Sequence, residues 1–520
     1  MKKFLATNYL ILIIIIIAAF LRLYNITELP PGLYPDEAMN GNNALEALST
    51  GGFKVFYPEN NGREGLFINI QALSIALFGN FPWALRAVSA IFGILTVLGV
   101  YFLSKELFKN EKIALLSAFL MATSFWHILF SRIGFRAIMA PFFLTWGIYF
   151  LLKAFRQIKE QKSPKFPPKA RLAKDGYILN SIFSGVFYGL GFHSYIAYRA
   201  TPLLILIIIA LYWFQNPEQI ASQLYGASKK WQIRKKILLV ASGCALVAII
   251  VAAPLGYYFI QNPQDFMGRT TQVSVFSSLT PLKDLGMNIL KTAGMFNFSG
   301  DYNWRHNYAG KPLLFWPVGI LFLIGTVISI RRLFSKNFFA PIFIFSWLII
   351  AALPVVISNE GLPHALRAII MIPPIFILSG FGGIWLMEKI KNLATINDSK
   401  IKINLLRCGV TIFIIILIIQ SYQSYFIGWG KNPNVQGAFA ADYVQIGHEL
   451  NALPKETPKY VIVKAGGTDV RGIPMPTQTV MFITDTFTPE KQKEKNIFYI
   501  FPNQINKILN NKDIYTTIIK

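Results

Sequence analysis

The sequence predicts a polytopic α-helical membrane protein of about eleven transmembrane helices, followed by a small C-terminal α/β domain. Three observations predict it. The chain is 54% hydrophobic and only 14% charged, with a mean hydropathy of +0.46, so a soluble protein of this size would strand too much apolar surface in water. Apolar runs near the roughly 20 residues a bilayer demands recur along the chain, separated by short segments rich in Lys and Arg. Past Gly428 the composition turns to that of a soluble protein.

The net charge of +25 raises nucleic acid as a partner, but its location argues against one. Lys and Arg fall mostly between apolar runs, where they set topology and meet anionic lipid, and no basic helix interleaved with aromatics appears. Cys244 and Cys408 sit inside apolar runs and read as small core residues, with no disulfide framework.

The first run, Phe4 to Leu23, follows Lys2 and Lys3, which places the N-terminus in the cytoplasm. It is longer than a signal-peptide core and no A-x-A-like site follows, so it reads as a retained helix. Residues 25–82 form a first external loop, in which Leu66 to Phe78 is too short to span and fits an interfacial helix. Further spans are expected at 83–103, 113–130, 137–152, 177–198, 202–214, 237–260, 312–330, 338–357, 368–387 and 405–426. A Lys/Arg- and Pro-rich loop at 153–174 and a basic stretch ending at Lys236 fall on the cytoplasmic side of that arrangement.

Residues 1–427 thus form the membrane domain and 428–520 a small extracytoplasmic domain. In the latter, Gly437 to Leu453 reads as an amphipathic helix, 460–463, 480–483 and 497–500 as buried strands, and 505–509 as a helix. Ala465-Gly-Gly-Thr468 is only a loop signal. The protein is therefore expected in the plasma (inner) membrane of the cell, with membrane lipids as constant partners.

The stretch most charged with chemistry is Leu29-Pro-Pro-Gly-Leu-Tyr-Pro-Asp-Glu-Ala38. Three prolines and a glycine deliver Asp36 and Glu37 to the external membrane boundary. A bland alternative is a helix N-terminus, where Asp is common. Yet Glu59, Arg63 and Glu64 follow in the same loop, against an apolar segment whose desolvation makes a carboxylate a better base.

Pro31-Gly-Leu-Tyr-Pro-Asp36-Glu37-Ala after a first helix, then Asn61-Gly-Arg-Glu64-Gly-Leu-Phe67 and the run Ala84 to Leu103, resembles the start of the GT-C glycosyltransferases. The likeness is to the protein-O-mannosyltransferase and lipid A aminoarabinose-transferase kind, over Phe4 to Leu152; beyond that only hydropathy agrees. The His-Pro-Pro-Leu or Lys-Pro-Pro type run of many members is missing from the interfacial segment. The resemblance implies a GT-C fold and transfer of one sugar from a polyisoprenyl-phosphate donor to a hydroxyl of a protein, lipid or glycan acceptor, with inversion. Asp36, with Glu37 beside it, would supply the base.

Cations are then needed for the departing phosphate. Candidates at external helix ends are Arg132, Arg136, Arg199, His364 and Arg367, joined by Arg63, Glu64 and His193 as substrate-contacting residues. For each Arg alone, snorkelling to lipid headgroups is the competing account. Analogy with the aminoarabinose transferases adds a divalent metal at Glu64 and His193; no other cofactor is expected. The aromatic loop Asp301 to Tyr308 suits either acceptor binding or an interfacial belt. A transporter or flippase for a lipid-linked sugar is the alternative function. It would place ionisable groups at mid-membrane, whereas here they gather at the external helix ends.

Overall fold

The structure is a computed structural model describing residues 2–160, 176–221, 227–267, 274–335, 338–396, 400–507 and 514–519. Among them, eight helices are long and apolar enough to cross a membrane: Pro82–Phe108, Arg136–Ile158, Ile196–Phe214, Trp231–Gln261, Trp316–Leu333, Phe339–Val356, Ile369–Leu393 and Asn404–Trp429. Their outer faces expose large apolar side chains such as Leu246, Ile249 and Ile250, as lipid-facing surfaces must. The protein is an integral membrane protein, and eight of the eleven expected spans meet that length and apolarity among the described residues. The basic loop predicted at 153–174 lies outside the described residues from 161 on.

Of the three other expected spans, the first is present as a helix and two take other forms. The first is helix α1 (Lys2–Leu23), whose described apolar stretch is Tyr9–Leu23. The fifth is a 16-residue helix, Gly176–Gly191, followed by a 3₁₀ turn at Ile196–Ala200. The third is broken.

That break has a cause in the sequence. After α2 (Pro35–Thr50), α3 (Gly65–Phe78) and α4 (Pro82–Phe108) come α5 (Glu111–Ala122) and α6 (Phe125–Phe130), interrupted at Thr123-Ser124. The Thr123 hydroxyl bonds back to Phe119 O (3.0 Å), and Ser124 caps α6 by accepting from the His127 N–H (3.4 Å). The carbonyls orphaned by the break are met by Arg22, which donates to Ala122 O at 3.0 Å and Met121 O at 3.5 Å. Arg22 also reaches His127 Nδ1 at 2.6 Å. A buried cation in α1 thus stitches the broken helix to its neighbour.

α3 has the expected bounds to within a residue and, at 14 residues, reaches only about 21 Å, short of the bilayer core. α2 was not anticipated beyond a helical start after Asp36. Its Asn-rich sequence has weak helix propensity, and the interior supplies what propensity lacks: Asn40, Asn42 and Asn43 are all buried and hydrogen-bonded.

After α7 (Met139–Glu160) and the remaining helices, the C-terminal residues build a three-stranded parallel sheet. The strands are β3 (Lys459–Val463), β6 (Ile497–Ile500) and β7 (Tyr515–Ile519), in the order β6-β3-β7. Two-stranded pairs precede β6: β1 (Phe56–Tyr57) with β2 (Arg63–Glu64), and β4 (Asp469–Val470) with β5 (Ile473–Pro474). The strands expected at 460–463 and 497–500 are present, and β7 adds a third that the sequence does not signal. Residues 480–483 are not a strand; they lie in the helix Gln478–Thr484. A short apolar run fits a buried helix as well as a strand, and burial on every side decides it here. The expected helix at 505–509 appears as a 3₁₀ stretch, Pro502–Lys507, with 508–509 outside the described residues.

The Gln478–Thr484 helix seats the C-terminal residues on α2. Phe482 shares one core with Leu33, Ala38, Ile68 and Leu85, and its ring lies so close to Gly41 that a Cβ there would come within 2.3 Å. Thr479 donates to Leu33 O (2.9 Å) and Asn42 to Gln478 O (3.1 Å). This contact packs the Gln478–Thr484 helix on the strap and helix that carry Asp36.

Candidate active site

Asp36 stands in the first turn of α2, one residue after Pro35. Proline there supplies a fixed φ and lacks an N–H that would have had no partner, and the free N–H groups of that turn favour a carboxylate. Asp36 is half-buried, and its Oδ1 accepts from Asn60 Nδ2 at 2.8 Å. Asn60 can do so because Asn60, Asn61 and Gly62 form a left-handed turn (φ 53°, 62° and 83°), which Asn and Gly tolerate best. The turn joins β1 to β2 and so brings Arg63 into the same cavity wall as Asp36.

Glu37 takes a different part from the one expected. It is fully buried, does not line the cavity, and accepts from Arg86 Nε (3.0 Å), Arg86 Nη2 (3.1 Å) and the Gly134 N–H (2.6 Å). Arg86 further donates to Pro30 O and Gly32 O. Glu37 therefore positions the strap 30–36, with both of its oxygens taken by these donors.

A cavity of about 470 Å³ opens over Asp36. Tyr34, Asn40, Asn60, Arg63, Arg136 and Tyr195 line it from the membrane part, and Gly466, Gly467 and Thr468 line it from the C-terminal residues. Arg63 is buried, donating to Asn40 Oδ1 (2.7 Å) and Asn43 Oδ1, and among the described residues no carboxylate is within ion-pair distance of it. Burial, with Arg136 nearby, lowers its pKa to about 10, which leaves it charged at neutral pH. Burial, reinforced by Asp36, raises the Tyr34 hydroxyl to about 12. Arg136 is paired with Glu64 at 2.7 Å, and Glu64 is also 3.6 Å from Arg199.

Of the other expected site residues, Arg132 is fully buried and donates to Leu21 O, Asn25 O and Leu29 O while stacking on Tyr425 and Phe426. It clamps backbone and is not on the cavity wall. Arg199 lies over Phe259 and Phe266, and Arg367 is paired with Glu360 at 2.8 Å; neither lines the cavity, although Leu366 does. His193 gives its Nε2 to Val251 O (3.0 Å). With Glu64 engaged by two arginines and His193 by a carbonyl, these two residues do not fit a shared metal.

His364 lies with Asp301 and His306 in a separate cluster. The Asp301–Tyr308 loop meets the cavity rim through Arg305, whose guanidinium sits 4.0 Å from the centre of the Tyr34 ring. Asn40, Asn60 and the Gly466–Thr468 loop belong to the site but gave no sign of it in the sequence, because only the fold brings them to Asp36.

Residues 66–165 match the family described as dolichyl-phosphate-mannose-protein mannosyltransferase. Among the curated proteins, none matches the chain by sequence. Among solved structures, the oligosaccharyltransferase AglB from Archaeoglobus fulgidus, in complex with an inhibitory peptide and a dolichol-phosphate, is similar at 13% identity and TM-score 0.53 over 97% of this chain and 70% of that one. ArnT from Cupriavidus metallidurans bound to undecaprenyl phosphate is similar at 15% identity and TM-score 0.51, over 98% of this chain and 91% of that one. Its apo state gives 14% and 0.50, over 99% and 93%. The family model covers residues 66–165 only, and these solved structures, at 13–15% identity, share the fold of the chain.

Proposed function

We propose that this protein moves a monosaccharide from a polyisoprenyl-phosphate donor to a hydroxyl of a protein, lipid or glycan acceptor, with inversion at the anomeric carbon. The observation that carries the reading is the placement of Asp36 in one cavity with Arg63 and Arg136. The acceptor oxygen bonds to the anomeric carbon as the bond from that carbon to the phosphate oxygen breaks. The acceptor proton passes to Asp36, and the lipid phosphate leaves as an anion. Arg63, which has no carboxylate within ion-pair distance among the described residues, is the group suited to receive that anion; Arg136, balanced by Glu64, supplements it.

The N-terminus lies in the cytoplasm on this reading, with the cavity and residues 428–520 as an extracytoplasmic domain over the membrane domain 1–427. The test is a panel of polyprenyl-phosphate sugars offered to the purified protein, with product followed by mass and anomeric configuration by NMR. Release of polyprenyl phosphate with an inverted product supports the reading. A donor flipped between leaflets with its sugar bond intact contradicts it.

A further inference from the structure

Asp301, His306 and His364 converge from two segments far apart in sequence, and the mechanism above uses none of them. Asp301 Oδ2 is 3.2 Å from His306 Nδ1 and 3.9 Å from His364 Nδ1, and one donor atom from each residue falls within 4.8 Å of the others. The imidazoles are stacked, 4.8 Å between centres and 27° from parallel, so both present Nδ1 to the same carboxylate. Donors on a tetrahedral ion bound at about 2.0–2.2 Å lie a little over 3 Å apart, so small side-chain rotations close the set.

The surroundings are those of a held ligand set. Asp301 is buried and fixed on both oxygens, Oδ1 by the Asn303 N–H (2.8 Å) and Oδ2 by the Ala365 N–H (2.9 Å). A cavity of about 180 Å³, lined also by Tyr302 and Gly361, adjoins the three residues and leaves room for a fourth ligand.

We infer that Asp301, His306 and His364 form a binding site for a divalent transition metal of the zinc type, tying the loop 301–306 to the segment 361–365. Two imidazoles and one carboxylate make a borderline donor set, which selects such ions over magnesium or calcium. The site is distinct from Asp36 and stands or falls independently of the transferase reading. Its loop nevertheless touches that cavity, since Arg305, next to His306, covers Tyr34.

The test uses the full-length protein in detergent, with any affinity tag removed, saturated with zinc and then desalted. Metal is counted by mass spectrometry, and cobalt-loaded protein is read for the visible absorption of a low-coordinate site. The expected result is about one metal per chain in the wild type, with a cobalt band. Asp301→Asn, His306→Gln and His364→Gln should each lose most of it, while His193→Gln keeps it. Bound zinc should also raise the melting temperature of the wild type but not of His306→Gln. No retained metal in the wild type overturns the inference whatever the variants do, and so does full retention in folded His306→Gln and His364→Gln.

Discussion

Glu37 and Arg86 hold each other through two hydrogen bonds of 3.0 and 3.1 Å, both side chains shut off from solvent. This pair fixes the helix turn that carries Asp36, whose own carboxylate is held by Asn60. Arg86 also ties down the carbonyls of Pro30 and Gly32, so one guanidinium anchors both ends of the strap that leads to Asp36.

Glu37→Gln should therefore destabilise the protein severely, by about 3–5 kcal/mol, because it leaves a buried cation uncompensated. Thermal unfolding in detergent checks this, with Glu37→Gln/Arg86→Met expected to recover part of the loss. A Glu37→Gln protein as stable as the wild type would show that the pair does not organise the strap.

Arg63→Gln should weaken catalysis more than folding. The variant amide can still meet one of Asn40 and Asn43, but the charge in the cavity wall is gone. A fall of about 10- to 100-fold in kcat/KM for the lipid donor is expected, with little change in acceptor KM. An unaltered donor dependence would move the phosphate away from Arg63.

Arg471 offers a test by pH. It bonds Glu46 (2.8 and 2.9 Å) and Glu59 (2.8 Å), joining the turn between β4 and β5 to α2 and the first loop. Burial alone pushes the Glu59 carboxyl up, but the Arg471 bond and charge outweigh it and leave the group below its ordinary range. A carboxyl lowered in the folded state adds stability above its unfolded pKa and loses it as pH falls through the lowered value. The melting temperature of Arg471→Ala should accordingly lie below the wild type at pH 7. That gap should close as pH drops below about 4, and shrink with added salt, since the guanidinium is partly exposed. A gap that persists unchanged in acid would rule out the ionic latch.

Thr468→Cys, made in a Cys408→Ser background, should react with a membrane-impermeant maleimide added outside intact cells, because Thr468 lines the cavity. Reaction only after cell rupture would invert the proposed topology.

The eight spanning helices were legible because long apolar runs have few alternatives in a lipid-exposed chain. The break at Thr123-Ser124 was not. It depends on Arg22, a hundred residues away, filling carbonyls that hydropathy cannot see. Asp36 could be singled out from its Pro-rich setting, but its separation from Glu37 could not, since adjacent residues of a helix face different ways and only Arg86 reveals which is buried. Arg132 and Arg136 looked alike in sequence; one clamps backbone and the other lines the cavity. The Gly466–Thr468 loop is the clearest case, since its role comes entirely from docking of the Gln478–Thr484 helix onto α2.

The central claim is that Asp36 takes the acceptor's proton. Its most direct test is single-turnover sugar transfer by purified wild type and Asp36→Asn, with the lipid-linked donor bound to both. Asn keeps the size of the side chain and an oxygen for Asn60. The account predicts an unchanged melting temperature, retained donor binding and a transfer rate lower by about 10²–10⁴-fold. Transfer by Asp36→Asn at the wild-type rate would contradict it.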